Sequence, residues 1–121
     1  MSVAAAHADA FYREVLAGER VYALRDDAGF PAPAEPDGVR TMPFWSKASR
    51  AEAIIAHVEA YEGSIVTALS LSEWNGRWLP GLERDGLLVG LNWSGANATG
   101  YDISPAEVLA NLNGRQGHGN H

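Results

Sequence analysis

The sequence contains no cysteine. Disulfide bonds, thiolate zinc sites, iron–sulfur clusters and a cysteine nucleophile are therefore excluded. Basic residues are also few, since nine Lys and Arg stand against fifteen Asp and Glu and give a net charge of −6. Nucleic-acid binding requires clustered basic side chains, whereas here they are scattered along the chain, so we expect no nucleic-acid partner.

Long apolar runs are missing as well. No stretch approaches the roughly 20 apolar residues that a membrane-spanning helix needs, so we expect no membrane association. The N-terminal sequence MSVAAAHADAFYREV lacks the basic start and long apolar run of a signal peptide, so we expect a cytoplasmic protein. The 121 residues, of which 46% are hydrophobic and 20% charged, fit one globular domain with its own core.

Recognisable catalytic and cofactor motifs are missing too. The chain contains no H-E-x-x-H zinc motif, no G-x-S-x-G nucleophile elbow and neither of the common glycine-rich phosphate loops. The single lysine, Lys47, lies outside any glycine-rich loop. His118 and His121 lie in a C-terminal stretch without apolar anchors, where a flexible tail is the simpler interpretation. We therefore predict no metal and no cofactor.

Apolar periodicity and capping residues predict four helices. The first covers residues 5–17, where apolar side chains recur on one helical face. Three S-x-x-E sequences predict helix starts at Ser49, Ser70 and Ser104, because a serine hydroxyl can accept an early backbone N–H. Pro80 lacks an N–H and crowds the preceding turn, so we expect the third helix to kink or restart there.

Short apolar runs between turn residues predict five strands, at residues 20–26, 39–45, 64–69, 87–93 and 101–103. The run LLVGLNW is apolar on both faces apart from Asn92, so we expect this strand to be central in a sheet. Pro43 has no N–H to donate to a neighbouring strand, so its strand should have an unpaired side at this residue or end nearby. The proline-rich segment at residues 30–38 fits either an edge strand or an irregular loop.

These elements predict an α+β fold in which about four helices cover a mixed or antiparallel sheet of about five strands. We expect a single domain at residues 1–113. Residues 114–121, GRQGHGNH, have no apolar anchor and are predicted to be a disordered tail.

The four tryptophans support two interpretations. Trp74 and Trp78 fall on the apolar arc of the third helix, with its charged residues pointing away, so they should face the core. Trp45 and Trp93 end strands and could flank an exposed groove, since tryptophan is enriched in binding hot spots. The alternative is that all four fill the core. The candidate binding surface consists of Trp45, Ser46, Trp93, Ser94 and Asn97.

Three segments carry a resemblance to a known family: VYALRDDAGF, MPFWSKASRAEA and WLPGLERDGLLVGLNWSG. Together they resemble the DUF2750 family of small bacterial proteins of unknown function. The resemblance runs from about Phe11 to Leu112 and consists of apolar and turn positions, with no catalytic signature. The arrangement is loosely similar to the amino-terminal domain of the SseB family and, more distantly, to immunity modules of bacterial toxin systems. These similarities imply a small α+β binding domain. They assign no reaction and no site residue to this chain.

Three functional hypotheses follow. The first is a non-enzymatic interaction or regulatory module of a bacterium, which uses the candidate surface to bind another protein. The second is a small hydrolase in which Asp26, Asp27 or Asp85 works with His57 as acid and base, which requires these side chains to share one cleft. The third is a homodimer sealed by a sheet edge or by residues 30–38, which needs an interface of roughly 1,000 Å² or more.

Overall fold

The computed structural model describes residues 3–119 of the chain. Its α-helices are α1 (Val3–Gly18), α2 (Ala48–His57), α3 (Leu71–Glu73), α4 (Leu79–Arg84) and α5 (Pro105–Gly119). Its strands are β1 (Arg20–Arg25), β2 (Thr41–Phe44), β3 (Ile65–Ser70), β4 (Leu88–Ser94) and β5 (Thr99–Ile103). A 3-10 turn follows α2 at Glu59–Tyr61, and a π-helical turn at Trp74–Trp78 joins α3 to α4. Within the described part of the chain, no helix has the length and apolar character needed to cross a membrane.

Within residues 3–119, the five strands form two small sheets joined by a single bridge. In one sheet β1 pairs antiparallel with β3, and in the other β4 lies between the parallel β2 and the antiparallel β5. The bridge links Tyr22 to Trp45, and each N–H donates to the other carbonyl oxygen over 2.8 Å. The predicted α+β fold, with five strands in mixed pairing and a central β4, is confirmed. The division into two sheets is a feature that the sequence pattern did not indicate.

Pro43 explains why the two sheets do not merge into one. Antiparallel strands exchange both hydrogen bonds at every second residue, so the next such pair beyond Tyr22 and Trp45 would join Leu24 to Pro43. Proline has no N–H to donate, and the pairing stops after one bridge. The expectation that this strand has a free side at Pro43 agrees with the interruption. Residues 30–38 form no strand and contribute one isolated bridge, from Ala34 to Arg40.

The helical segment at residues 71–84 places its tryptophans inward, as the apolar arc predicts. Ser70 caps it, because its Oγ accepts the N–H of Glu73 over 3.1 Å. Trp74 is fully buried and Trp78 is half-buried, whereas the charged residues of the segment are exposed. The segment therefore presents one face to the core and the other to solvent.

The kink or restart predicted at Pro80 takes the form of the π turn. In this turn the N–H of Leu79 donates to the carbonyl oxygen of Trp74, five residues earlier. Pro80 cannot donate a hydrogen bond, and its ring crowds the turn before it, so the backbone widens there.

Of the two other predicted caps, one is confirmed and one is wrong. Ser104 Oγ accepts the N–H of Glu107 over 3.2 Å at the start of α5. Ser49, by contrast, lies inside α2, which begins at Ala48 with Lys47 as its N-cap residue and no side-chain cap. The local sequence misplaces this start because a long-range contact fixes the chain just before the helix, as described below.

Two clusters of buried apolar side chains form the core. The larger cluster packs α1, residues 71–84 and α5 against the sheets, and its largest fully buried members are Phe11, Phe44, Trp74, Leu79, Leu91 and Leu112. The smaller cluster lies beneath α2 and contains Leu24, Trp45, Ala51, Ile54, Tyr61 and Trp93. The second cluster therefore ties α2 to the ends of β2 and β4.

Helix α5 continues into the segment for which a disordered tail is predicted. It runs from Pro105 to Gly119, and the remaining residues of the predicted tail, 120 and 121, lie outside the described part of the chain. Arg115 holds the helix against α1, because its Nη2 lies 3.1 Å from Asp9 Oδ1 and its guanidinium carbon 4.8 Å from the centre of the Tyr12 ring. This anchor is made by a charge and an aromatic ring, so the apolar pattern on which the tail prediction rests does not reveal it.

Candidate functional site

The structure places two of the predicted binding residues at the surface and three in the interior. Ser94 and Asn97 are exposed. Trp45, Ser46 and Trp93 are buried, with 0%, 5% and 7% of their surface exposed. The two tryptophans therefore lie in the core, as the alternative interpretation predicts. Trp93 lines a small hollow together with Ser94, but Trp45 does not line it.

The indole N–H groups of Trp45 and Trp93 both have hydrogen-bond partners. Trp45 Nε1 donates to the carbonyl oxygen of Trp93 over 2.8 Å, and Trp93 Nε1 donates to Asp102 Oδ1 over 2.8 Å. These bonds join the end of β2 to β4 and β4 to β5. The tryptophans thus fix the strand ends beneath α2, since a buried N–H without an acceptor would be costly.

Two glycines make room for the Trp93 ring. A Cβ atom on Gly90 would lie 2.4 Å from Trp93 Nε1, and one on Gly100 would lie 2.8 Å from the carbonyl oxygen of Leu91. The pairing of β4 with β5 is irregular between Leu91 and Ser94, where the ring is accommodated. Neither glycine can acquire a side chain without displacement of the indole or the neighbouring strand.

Asn92 lies in this irregular part of β4 and reaches across to the chain that leads into α2. Its backbone has a φ of +52°, a left-handed conformation that Asn tolerates better than most residues. Its Oδ1 accepts the N–H of Ser46 over 3.0 Å, and its Nδ2 donates to Ser46 Oγ over 3.0 Å. This contact fixes the chain at Ser46, so the backbone enters the helix at Ala48, before Ser49 could cap it.

The contact continues through Ser46 to an ion pair between α1 and α2. Ser46 Oγ donates to Glu14 Oε1 over 2.6 Å. Arg50 donates to both oxygens of the same carboxylate, from Nε to Oε1 and from Nη2 to Oε2, each over 2.9 Å. A two-bond contact of this kind orients both groups. A polar network therefore connects β4, the chain before α2, α1 and α2.

The hydrogen bonds from Arg50 lower the pKa of Glu14 from 4.5 to about 2, helped by the Ser46 hydroxyl and opposed by partial burial. A carboxylate with so low a pKa stays ionised at neutral pH and is a poor proton acceptor. The short Ser46–Glu14 contact is therefore a structural hydrogen bond and does not activate Ser46 as a nucleophile.

A cleft of about 500 Å³ opens beside this network. Its lining comes from the second half of α1, the start of β1 and the chain that enters α2. Three of the lining side chains are cationic, namely Arg13, Arg20 and Lys47, and one is anionic, Glu14. Arg13 is paired with Asp9, and Glu14 is paired with Arg50 and lies 4.0 Å from Lys47. The lining itself still carries more cations than carboxylates, so its net charge is positive.

The first turn of α2 also lines this cleft, through Ala48 and Ser49. Their backbone N–H groups have no acceptor among the described residues, because Lys47 supplies no side-chain cap. The unpaired N–H groups at the start of a helix favour a negative charge nearby. They add to the positive character that the three cationic side chains give the cleft.

The residues of the hydrolase hypothesis do not share a cleft. Asp26 and Asp27 line one hollow, and His57 lines another, of about 170 Å³, with Trp93; the two hollows have no lining residue in common. Asp26 Oδ1 accepts the N–H of Ala28 over 2.8 Å, which is a turn contact. Asp85 lies in neither hollow and pairs with its neighbour Arg84. In the part of the chain that the structure describes, no group of three or more His, Asp or Glu could hold a metal ion.

The sequence pattern missed most of the residues that form the polar network beside the cleft. Glu14 and Arg50 occupy ordinary surface positions of predicted helices, and nothing local marks them as partners. Asn92 is the exception, because it is the one polar residue in an otherwise apolar strand. Such a residue needs a buried partner, and this one finds it in Ser46.

Comparison with protein-family models shows that one model, described as a protein of unknown function (DUF2750), matches residues 8–112. The match includes every strand, the polar network and the cleft. No curated protein matches the chain.

Proposed function

Since the chain belongs to the DUF2750 family, whose function is unknown, its activity must be inferred from geometry, and we propose that it is a non-enzymatic binding module. The bound group is an acidic segment of a partner protein, held in the cleft between α1, β1 and the start of α2. The observation that carries the proposal is the positive lining of this cleft on an acidic chain.

The local charge of the cleft is opposite to the charge of the whole protein. Its lining holds three cationic side chains and one carboxylate, whereas the whole chain has nine basic and fifteen acidic residues. A positive cleft on a negatively charged molecule attracts anions to one place and repels them elsewhere. The cleft volume, about 500 Å³, lies in the range of sites that take small ligands or a few side chains.

The floor of the cleft is fixed before anything binds. Glu14 receives hydrogen bonds from Ser46 and Arg50, and Ser46 is held in turn by Asn92. A site whose supporting groups are already ordered loses less entropy on binding. Lys47 Nζ lies 4.0 Å from Glu14 Oε2, and because 59% of its side-chain surface is accessible, a partner's carboxylate can still reach it.

An acidic protein segment fits the arrangement better than nucleic acid. The three cations come from three separate parts of the chain, so the positive charge extends along the cleft opening. A segment with several carboxylates can contact more than one of them. A nucleic acid would meet the acidic surface on either side of so small a basic area.

The test uses an acetylated and amidated peptide of glutamates, titrated into the labelled protein at low salt and followed by amide NMR shifts. We expect shifts at Ala48 and Ser49, and weaker binding as salt is added. Arg20→Glu and Lys47→Glu should each reduce affinity by about tenfold, which corresponds to ~1.4 kcal/mol.

The matched control is Arg84→Glu, which changes the net charge equally but lies outside the cleft. Equal loss in this variant would show that only overall charge matters and would overturn the proposal. Absence of shifts in the wild-type protein would also overturn it. If inorganic phosphate alone produced the same shifts at the same affinity, the cleft would be a small-anion site and not a site for acidic segments.

A further inference from the structure

Strand β3 forms the outer edge of its sheet. It pairs with β1 on one side, in a register that matches Arg20 with Ser70 and Arg25 with Ile65. No described segment pairs with its other side. An unpaired strand edge presents a row of backbone donors and acceptors on which another strand can add.

The bridge between the sheets determines which backbone groups of β3 face outward. Tyr22 directs both its N–H and its carbonyl at Trp45, away from β3. The backbone N–H and carbonyl groups of successive residues in a strand point to opposite sides. Val21 and Ala23, on either side of Tyr22, therefore direct their backbone groups at β3. Their partners are Leu69 and Thr67. The backbone groups of Val66, Ala68 and Ser70 therefore point to the free edge.

The sequence of β3, IVTALS, has none of the features that normally protect an edge. It contains no charged residue and no proline. Ile65 is 69% exposed, the highest value among the exposed large apolar residues described. The opposite edge of the fold, β5, differs because it contains Asp102 and two residues, Gly100 and Thr99, of little apolar surface.

We propose that the edge of β3 binds the β3 edge of a second copy of this chain, antiparallel and about a two-fold axis at Thr67. In this register Val66 of each copy exchanges backbone hydrogen bonds with Ala68 of the other, and both residues have outward-facing groups. Ile65 of each copy lies opposite Leu69 of the other and loses its exposure. No two like charges oppose each other within the paired strands, because β3 has none.

The register centred on Thr67 is favoured because it places Ile65 opposite an apolar residue within the partner strand. Pairing centred on Ala68 moves Ile65 beyond the end of the partner strand, opposite Leu71. Pairing centred on Val66 places Ile65 opposite Thr67, which is smaller and more polar than Leu69. Two paired strands of six residues form a small interface, so we expect a weak dimer that dissociates on dilution.

Sedimentation velocity across a wide range of concentration tests the proposal, with circular dichroism to confirm folding. Wild-type protein should shift from monomer to dimer as concentration rises. Thr67→Lys and Thr67→Glu should each be monomeric, because the axis brings two like charges together. An equimolar mixture of the two variants should dimerise, because the axis then joins opposite charges. Thr99→Lys, on the opposite edge, should dimerise like wild type.

A second measurement uses the absence of native cysteine. Residues facing each other across a non-hydrogen-bonded antiparallel pair lie within the Cα separation that a disulfide spans. Thr67→Cys should therefore oxidise to a covalent dimer, and Thr99→Cys should not. Wild-type protein that stays monomeric at every concentration, a dimer that survives Thr67→Lys, or assemblies larger than two would each overturn the proposal. The acidic-segment proposal is unaffected, because β3 does not line the cleft.

Discussion

Asn92 binds Ser46 at two points, as acceptor of its N–H and as donor to its hydroxyl, each over 3.0 Å. The two residues are 46 positions apart in sequence. Their contact joins the hairpin of β4 and β5 to the start of α2. The position of the cleft therefore depends on one buried amide.

Replacing Asn92 with alanine should lower the free energy of unfolding by about 2–3 kcal/mol. The buried N–H of Ser46 would lose its acceptor, and alanine would be strained at a φ of +52°. Asn92→Gly should cost about 1 kcal/mol less than Asn92→Ala, because glycine adopts this φ without strain. Urea unfolding measures both, and Asn97→Ala, an exposed change nearby, should stay within about 0.5 kcal/mol of wild type. If Asn92→Ala and Asn92→Gly lowered the free energy of unfolding equally, backbone strain of alanine at position 92 would be contradicted.

Gly100→Ala should destabilise the protein by roughly 2–3 kcal/mol and alter its near-ultraviolet circular dichroism. The added Cβ would meet the Leu91 carbonyl oxygen at 2.8 Å, and backbone cannot rotate aside as a side chain can. Gly114→Ala in α5 is the control, because nothing lies within 4 Å of its Cβ and helical alanine stabilises by about 0.5–1 kcal/mol. Thermal unfolding of both variants checks the prediction, which fails if Gly100→Ala melts like wild type.

Glu14 should make stability depend on pH in the acid range. Its folded pKa, about 2, lies below the ordinary 4.5, so its stabilisation is fully present above pH 4.5 and is lost as the pH falls toward 2. The shift corresponds to at most about 3 kcal/mol. Glu14→Gln should be less stable than wild type at neutral pH, and the difference should shrink across this window. Glu52→Gln, at an exposed position of α2, should show no such convergence. A constant difference from neutral pH down to pH 2 would contradict the ion-pair contribution.

Asp9 offers a test of the contact that anchors α5. Its pKa is lowered first by the hydrogen bond from Arg13 and then by the one from Arg115. Both Arg13→Ala and Arg115→Ala should therefore raise this pKa toward its ordinary value, with the larger rise in Arg13→Ala. Carboxyl NMR titration measures the two shifts. No change on Arg115→Ala would show that α5 does not lie against α1 in solution.

The sequence predicts those parts of the fold that depend on neighbouring residues. The caps at Ser70 and Ser104 need only a serine and a backbone N–H three residues later. The interruption at Pro80 follows from the residue itself. The central position of β4 follows from a run of apolar side chains on both faces. Each of these is a local property and is visible in a short window of sequence.

The other features of the fold and of the cleft depend on contacts between residues that are distant in sequence. Ser49 looks like a cap, but the contact of Ser46 with Asn92 starts the helix earlier. Trp45 and Trp93 look like surface residues at strand ends, but α2 covers them and the glycines opposite Trp93 receive its ring. The cleft could not be predicted because its cations come from separate parts of the chain. Only Asn92, polar in an apolar strand, indicated that a buried polar partner existed.

The single bridge from Tyr22 to Trp45 leaves the two sheets free to change their relative orientation when nearby residues are substituted. Because backbone pairing joins the two sheets at one point, the angle between them is determined by side-chain packing. Substitutions around Trp45 can rotate the sheet of β1 and β3 relative to the sheet of β2, β4 and β5. The hydrogen bonds between strands within each sheet are kept. Such substitutions can reshape the cleft side of this molecule while the three-stranded sheet keeps its register.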